Sequence, residues 1–356
     1  MRLQALMEKF AGRREDAIGI DIGSGSIKMA EVIMRSGKPF LKKMAIFDTP
    51  ASVVKDGVIV DEALLADTLQ RMASRNGFAG RQVAAALGGR SLFIREVTFP
   101  RMTETELRQA IRWDLDKYVP FSPDQLYFDF WLTGPGATEF ETRVLLVAVP
   151  RDVTDSLVRV MNKAGLKPVA IDIEPLAIQR TLPETSDCML IDCGSAISQV
   201  TLFQKGAPVF TRNIPIGGNQ LTEMMMEGLD VSREEAELLK QRSGEFFGEP
   251  GNDIGKTTVK EQLDRIVGEL AGEVRRTLEY YQVQNRSVSI SQVFITGGGA
   301  KLEFLPDKLA KILELPVSLH DPLAALELPA SFNLQYLRGV GPQMSVAVGL
   351  AMRSID

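Results

Sequence analysis

Two periods of hydrophobic placement run through this chain and mark out its elements. Ile18–Ile22 is an apolar run broken only by Asp21, which predicts a strand. A Gly23-Ser24-Gly25-Ser26 turn follows, and a second strand, Ile27–Met34, ends at a Gly37-Lys38-Pro39 turn. The same order returns at mid-chain. Met189–Ser198 carries an apolar run with Asp192, Gly194 and Ser195, then a strand over Gln199–Gln204 and a Gly206-Ala207-Pro208 turn. A third apolar strand begins at Val293 and stops in Gly297, Gly298 and Gly299, ahead of Ala300 and Lys301.

Between these strands the period changes to that of helices. Leu65, Leu69 and Met72 make one face of a helix over Glu62–Ser74, stopped by Asn76-Gly77. Strands are expected at Gln82–Leu87, ending in Gly88-Gly89, and at Leu92–Phe99, closed by Pro100. Thr103 and Glu106 form a capping box, and Leu107, Ile111, Leu115 and Tyr118 give the following helix one apolar face. Trp113 falls off that face, which makes it a candidate contact, and Pro120 ends the helix. Strands Gln125–Thr133 and Thr142–Val149, a helix Val153–Ala164 capped by Asp152, and a strand Pro168–Ile173 complete an α-β-β-α-β run. A helix Glu174–Leu182 leads into the second repeat. Beyond it come a helix Gln220–Gly228, a second capping box at Ser232 and Glu235, a loop over 243–256, a long helix Val259–Gln284 and a helix Met344–Met352 carrying Ala347, Gly349 and Ala351.

The two repeats carry candidate chemistry. Glycines let backbone N–H groups converge on an anion, and Ser24, Ser26, Ser195 and Lys28 add side-chain donors. Asp21 and Asp192, each near a strand end, suit a magnesium ion held through water. Gly217 and Gly218 open a helix whose N-terminus favours phosphate. Three consecutive glycines at 297–299 leave backbone open to close approach by a nucleotide. The stretch Gly251–Thr257 imitates a P-loop but has three residues between Gly and Gly-Lys, not four, and no apolar strand before it.

Composition sets outer limits. A chain of 356 residues has length for two domains and a sizeable core. With 41 basic and 46 acidic residues the net charge is -5, which argues against nucleic acid as a partner. Two cysteines, Cys188 and Cys193, sit on one strand and suit a reducing cytosol. The single histidine, His320, is expected at the surface, which argues against a His-rich metal cluster or a Ser-His-Asp triad. No apolar run reaches the roughly 18 residues of a membrane span. Leu3, Leu6, Met7 and Phe10, flanked by basic residues, give the tail 1–16 an amphipathic spacing for frayed packing or membrane contact.

Together, D-x-G-S at 21–24, its variant D-C-G-S at 192–195 and T-G-G-G-A at 296–300 resemble the phosphate-one, phosphate-two and adenosine loops of the actin-like ATPase superfamily. Glu106–Trp113, Lys117–Phe121 and Ile173–Arg180 resemble the PilM family of type IV pilus assembly. The resemblance implies an α/β, two-lobed, ribonuclease H-like duplicated fold with an FtsA-type small subdomain inserted in the first lobe. It implies a first-lobe core of 17–100, 168–186 and 343–356, an insert of 101–167, a second-lobe core of 187–216 and 289–342, and a second-lobe subdomain of 217–288. It also implies ATP with magnesium, Glu237 and Lys240 at ribose and adenine, and Glu174 as the carboxylate that would orient water in a weak ATPase. Ser195 and Ser198 depart from the threonine-bearing second loop, which points to binding over fast turnover. The implied partners are the N-terminal peptide of PilN, with Trp113 as a contact, and the assembly platform at the cytoplasmic face of the inner membrane, with self-association possible on this fold. Two other readings stand: an FtsA-like filament former, which a carboxy-terminal amphipathic membrane helix would favour, and a small-molecule kinase, which would need a substrate pocket with a base.

Overall fold

The computed structural model describes residues 17–183, 187–241, 254–284, 290–302 and 304–353. The N-terminal tail, and Gly251 to Asp253 of the P-loop imitation, lie outside them. Ile254 to Thr257 of that imitation already belong to the long helix Ile254–Gln284, five residues longer at its start than expected.

Two five-stranded sheets repeat one plan. In chain order the strands are β1 Ile18–Ile22, β2 Ser26–Arg35, β3 Lys38–Asp48, the short β4 Val54–Lys55 and β5 Val58–Ile59, β6 Gln82–Leu87, β7 Phe93–Pro100, β8 Leu126–Pro135, β9 Glu141–Pro150, β10 Lys167–Ile173, β11 Asp187–Cys193, β12 Ser198–Gln204, β13 Ala207–Ile214, β14 Val293–Thr296 and β15 Val317–Leu319. The first-lobe sheet runs β10-β6-β1-β2-β3 and the second β13-β12-β11-β14-β15. In each, an antiparallel hairpin carries the D-x-G-S turn, and a parallel neighbour joins its first strand. The chain is therefore a two-lobed α/β protein built from one duplicated plan, as the repeats imply.

A three-stranded sheet, β7-β9-β8, forms the added unit. Strand β9 is buried on both faces because its alternate residues point to opposite sides. Val144, Leu146 and Ala148 pack with Leu107, Ile111 and Leu115 of the helix Glu104–Tyr118, whose capping box forms as the sequence dictates. Leu145, Val147 and Val149 point the other way, into the first-lobe core. Strand β7, placed by the sequence division in the first-lobe core, pairs along its length with β9. The helix Arg151–Lys163, placed in the insert, puts Leu157, Val160 and Met161 into the first-lobe core. Its cap is Pro150; Asp152 lies in its first turn and accepts from Val153 N–H at 2.9 Å.

The closing helix Ser345–Met352 is buried along its whole length. A Cβ on Gly19 would overlap the carbonyl of Ala347, and one on Gly349 would overlap the carbonyl of Ala177. Glycine at these two places lets the helix lie directly on β1 and on the connecting helix Glu174–Gln179. Leu323, Leu326 and Leu337 also pack on first-lobe strands through Ala30, Val32 and Leu41. Glu327 makes two backbone bonds there, donating to Pro39 and accepting from Leu41.

His320 corrects the expectation of a surface residue: it is 3% exposed. Its Nε2 lies 2.8 Å from Thr181 Oγ1, at the end of the connecting segment between the lobes. Burial pushes its pKa down to about 4, so the neutral ring is the one that fits. The chain turns inward there against β14, with His320 N–H donating to Ile295 O at 2.8 Å.

Candidate nucleotide site

The cleft between the lobes is built by the tips of the two hairpins. Asp21 and Lys28 are cross-strand partners, and their side chains form an ion pair of 2.9 Å. The turn between them is held by Gly23 N–H to Ser26 O and by Thr49, whose hydroxyl donates to Gly23 O at 2.6 Å and whose N–H reaches Gly25 O. Thr49 closes β3 and has no signature of its own in the sequence. In the second lobe, Gly194 N–H bonds Ile197 O, and Ser198 Oγ donates to Ile216 O.

The hairpins meet. Ser24 Oγ and Ser195 Oγ lie 2.7 Å apart, and a Cβ on Gly25 would come within 2.8 Å of Ser195 Cβ. Gly217 and Gly218 stand against the second turn so tightly that a Cβ on Gly217 would lie 2.6 Å from Ser195 O. The N–H groups of Gly218 and Asn219 donate to Gly194 O and Ser195 O. Those two donors therefore brace the turn, and it is the dipole of the helix Gly218–Leu229 that remains for an anion.

The glycine triplet lies beside Asp192, whose residue pairs in register with Thr296. Gly297 has φ +85°, and a Cβ there would overlap Asp192 Oδ1; one on Gly299 would come within 2.9 Å of Cys193 Cβ. Gly298 follows Gly297 in the same turn, where a Cβ would meet only Gln343 Oε1, at 3.9 Å. Glu237 and Lys240 form an ion pair of 2.7 Å. Thr222 Oγ1 lies 2.8 Å from Lys240 Nζ and 2.6 Å from Glu237 Oε1. Burial works against the Glu237 carboxylate, but bonds from Lys240 and Thr222 outweigh it and hold its pKa below the usual range. Lys301, directly after the triplet and Ala300, is a cleft residue the sequence reading left without a role. Burial, then Lys240, pushes its pKa down.

Glu174 begins the connecting helix, with its carboxyl against Gly88. Both it and Asp192 lie deep in the cleft while keeping part of their surface open. Burial, then the charges of Asp21 and Asp192, pushes the Glu174 pKa up to about 8. Burial, then Asp21, pushes Asp192 up to about 6. Three carboxylates thus share one region with a single close cation, Lys28, among the described residues, and a bound cation would relieve their repulsion. No group of three His, Cys, Asp or Glu side chains among the described residues is arranged to cage a metal. Asp21 and Asp192 instead fit an ion that keeps most of its water and takes further oxygens from phosphate.

A second concavity, about 540 Å³, lies apart from this cleft. Leu145, Val147 and Val149 of β9 wall one side and Ile171 and Ile173 of β10 another. The second-lobe turn Gln204–Pro208 and Trp131 close it. Trp113 is 82% exposed and is not among its lining residues.

The sequence model of the family described as type IV pilus assembly protein PilM matches residues 19–355. The chain is similar to a solved PilM-PilN type IV pilus biogenesis complex, with TM-score 0.84 and 25% identity over 96% of this chain and 99% of that one. It shares its fold with MreB5 of Spiroplasma citri bound to ADP, at TM-score 0.53 and 14% identity over 93% of this chain and 94% of that one. The cell division protein FtsA of Bacillus subtilis is 24% identical, over 91% of this chain and 82% of FtsA. Because the family match runs unbroken from the first hairpin through the closing helix, the chain belongs to the type IV pilus assembly protein PilM family.

Proposed function

We propose that this chain is an ATP-binding scaffold of the type IV pilus inner-membrane platform. In this reading it binds the N-terminal cytoplasmic peptide of PilN, and nucleotide governs how far its lobes close. The observation that carries the nucleotide part is the meeting of the two hairpins at Ser24 and Ser195 over the Asp21 and Asp192 carboxylates. Gly23, Ser24, Gly25, Ser26 and Lys28 take the phosphates from one lobe and Gly194, Ser195, Gly217 and Gly218 from the other. Gly297, Gly298, Gly299, Glu237 and Lys240 hold the nucleoside. Asp21 and Asp192 would hold magnesium, which when bound would neutralise charge at the phosphates. Glu174 orients a water for hydrolysis that is slow at most.

The cavity beneath the three-stranded sheet is the seat for the PilN peptide. It is apolar at its centre, and the Arg180–Asp172 ion pair of 2.8 Å is the polar part of its lining. No helix among the described residues is long and apolar enough to cross a membrane. In this reading the PilN partner brings the chain to the inner membrane. Titration of fluorescent ATP with and without magnesium tests the site. Asp21→Ala and Asp192→Ala should each weaken binding about tenfold or more. Unchanged affinity in both would remove the cleft as the site. A synthetic PilN N-terminal peptide should bind saturably. A filament role is the second reading, favoured by the FtsA similarity; sedimentation with ATP separates it, since only a filament pellets without the peptide.

A further inference from the structure

One contact across the cleft has no part in holding phosphates. Asn213, at the cleft end of β13, donates from Nδ2 to the carbonyl of Gly89 in the first lobe at 2.8 Å. The amide orientation is fixed chemically: a carbonyl only accepts, so nitrogen faces Gly89 and oxygen faces Gln199. Gln199 Nε2 donates to that oxygen at 3.2 Å. Gln199 is itself buried and is the cross-strand partner of Asp192.

The Gly88-Gly89 turn that Asn213 grips is the seat of Glu174. A Cβ on Gly88 would overlap the Glu174 carboxyl. Gly89 has φ +69°, and a Cβ there would lie 2.9 Å from Asp56 O. Gly57, at φ +82°, faces Gly88 O at the same distance. The turn is thus wedged between the Asp56-Gly57 turn and Glu174, with its one bond from the opposite lobe coming from Asn213 among the described residues.

We propose that Asn213 is a positioning residue: from the second lobe it holds the Gly88-Gly89 turn against Glu174 and so sets where that carboxyl can orient water. This rests on the nucleotide-site reading above. Asn213 touches neither phosphate loop directly, so its loss should slow turnover without loosening ATP.

The test is steady-state ATP hydrolysis by the full chain, with ATP affinity measured in parallel. Asn213→Ala should lower kcat about tenfold and leave KM within about twofold, the scale of a misplaced water-orienting group. Asn213→Asp keeps the shape but loses the donor and should match it; melting temperature confirms that at least one variant folds. In a Glu174→Gln background, Asn213→Ala should cost less than about twofold more, because groups acting as one unit are not additive. Full additivity, or a rise in KM that accounts for the loss, would overturn the proposal. So would a parent protein that binds ATP and never hydrolyses it, an outcome that leaves the nucleotide site standing. No ATP binding at all would overturn that reading and this one with it.

Discussion

Ser24 Oγ and Ser195 Oγ share a hydrogen bond of 2.7 Å, joining residues 171 positions apart at the tips of two equivalent hairpins. Either hydroxyl can be the donor, so removing one leaves the other free to turn to water or phosphate. Ser24→Ala or Ser195→Ala should therefore change ATP affinity by less than about threefold. Gly25→Val is different in kind, because even its Cβ would press on Ser195 at 2.8 Å and wedge the tips apart. It should weaken ATP more than about tenfold in fluorescence titration. Equal effects from all three variants would count against the tips as a clamp.

The cleft carboxylates give the ligand-free protein a signature in pH. Glu174 is raised to about 8 and Asp192 to about 6, chiefly by burial and then by neighbouring acids. The folded chain therefore holds protons that the unfolded chain releases near pH 4.5, and stability falls as pH rises from there to about 8. His320 works the other way: its folded pKa is depressed to about 4 from 6.5, so stability falls as pH drops through that window. Two raised carboxyls outweigh the one depressed histidine up to about pH 6, and Glu174 alone acts above pH 6.5, so these groups together should lower the melting temperature from pH 5 to 8. Glu174→Gln should raise stability at pH 8 by at least ~1 kcal/mol. A parent whose melting temperature climbs steadily from pH 5 to 8 contradicts this.

Two tryptophans separate the peptide cavity from the outer helix face. Trp131 lines the cavity, while Trp113 projects from the helix Glu104–Tyr118 into solvent. Trp131→Ala should weaken the PilN peptide about tenfold in calorimetry. Val147→Asp, placing a charge on the buried wall, should abolish binding. A large loss with Trp113→Ala alone would move the peptide to the exposed face.

Helix crossing at Gly349 is intolerant of any side chain, since its Cβ would overlap the Ala177 carbonyl. Gly349→Ala should destabilise the protein by at least ~2 kcal/mol in urea unfolding. Gly37→Ala, where a Cβ meets nothing within 4 Å, should cost only its φ of +79°. Similar losses at both would show that backbone strain, not the crossing, decides.

What the sequence disclosed was whatever is local. Hairpins, capping box and glycine triplet are written in consecutive residues, and the structure forms them within a residue or two of the expected bounds. Resemblance of ordered motifs extended this to the two-lobed plan. What stayed hidden depends on distant pairing. Phe93–Pro100 reads as one more strand, and only Glu141–Pro150 decides which sheet receives it. His320 reads as a surface residue until Thr181 is placed beside it. Asn213 in β13 and Thr49 just past the end of β3 are single polar residues, and their partners lie in other elements altogether.

The closing helix bears on how this protein is made. Strand β1 leaves the ribosome well before the segment that covers it, at Gly19 against Ala347. Until that segment emerges the first half-molecule must wait with one side of its central sheet bare, while the second can settle from contiguous sequence. The nascent chain is thus most exposed to chaperones and to mispairing in its oldest portion, and maturation should end with the capture of that late-arriving segment.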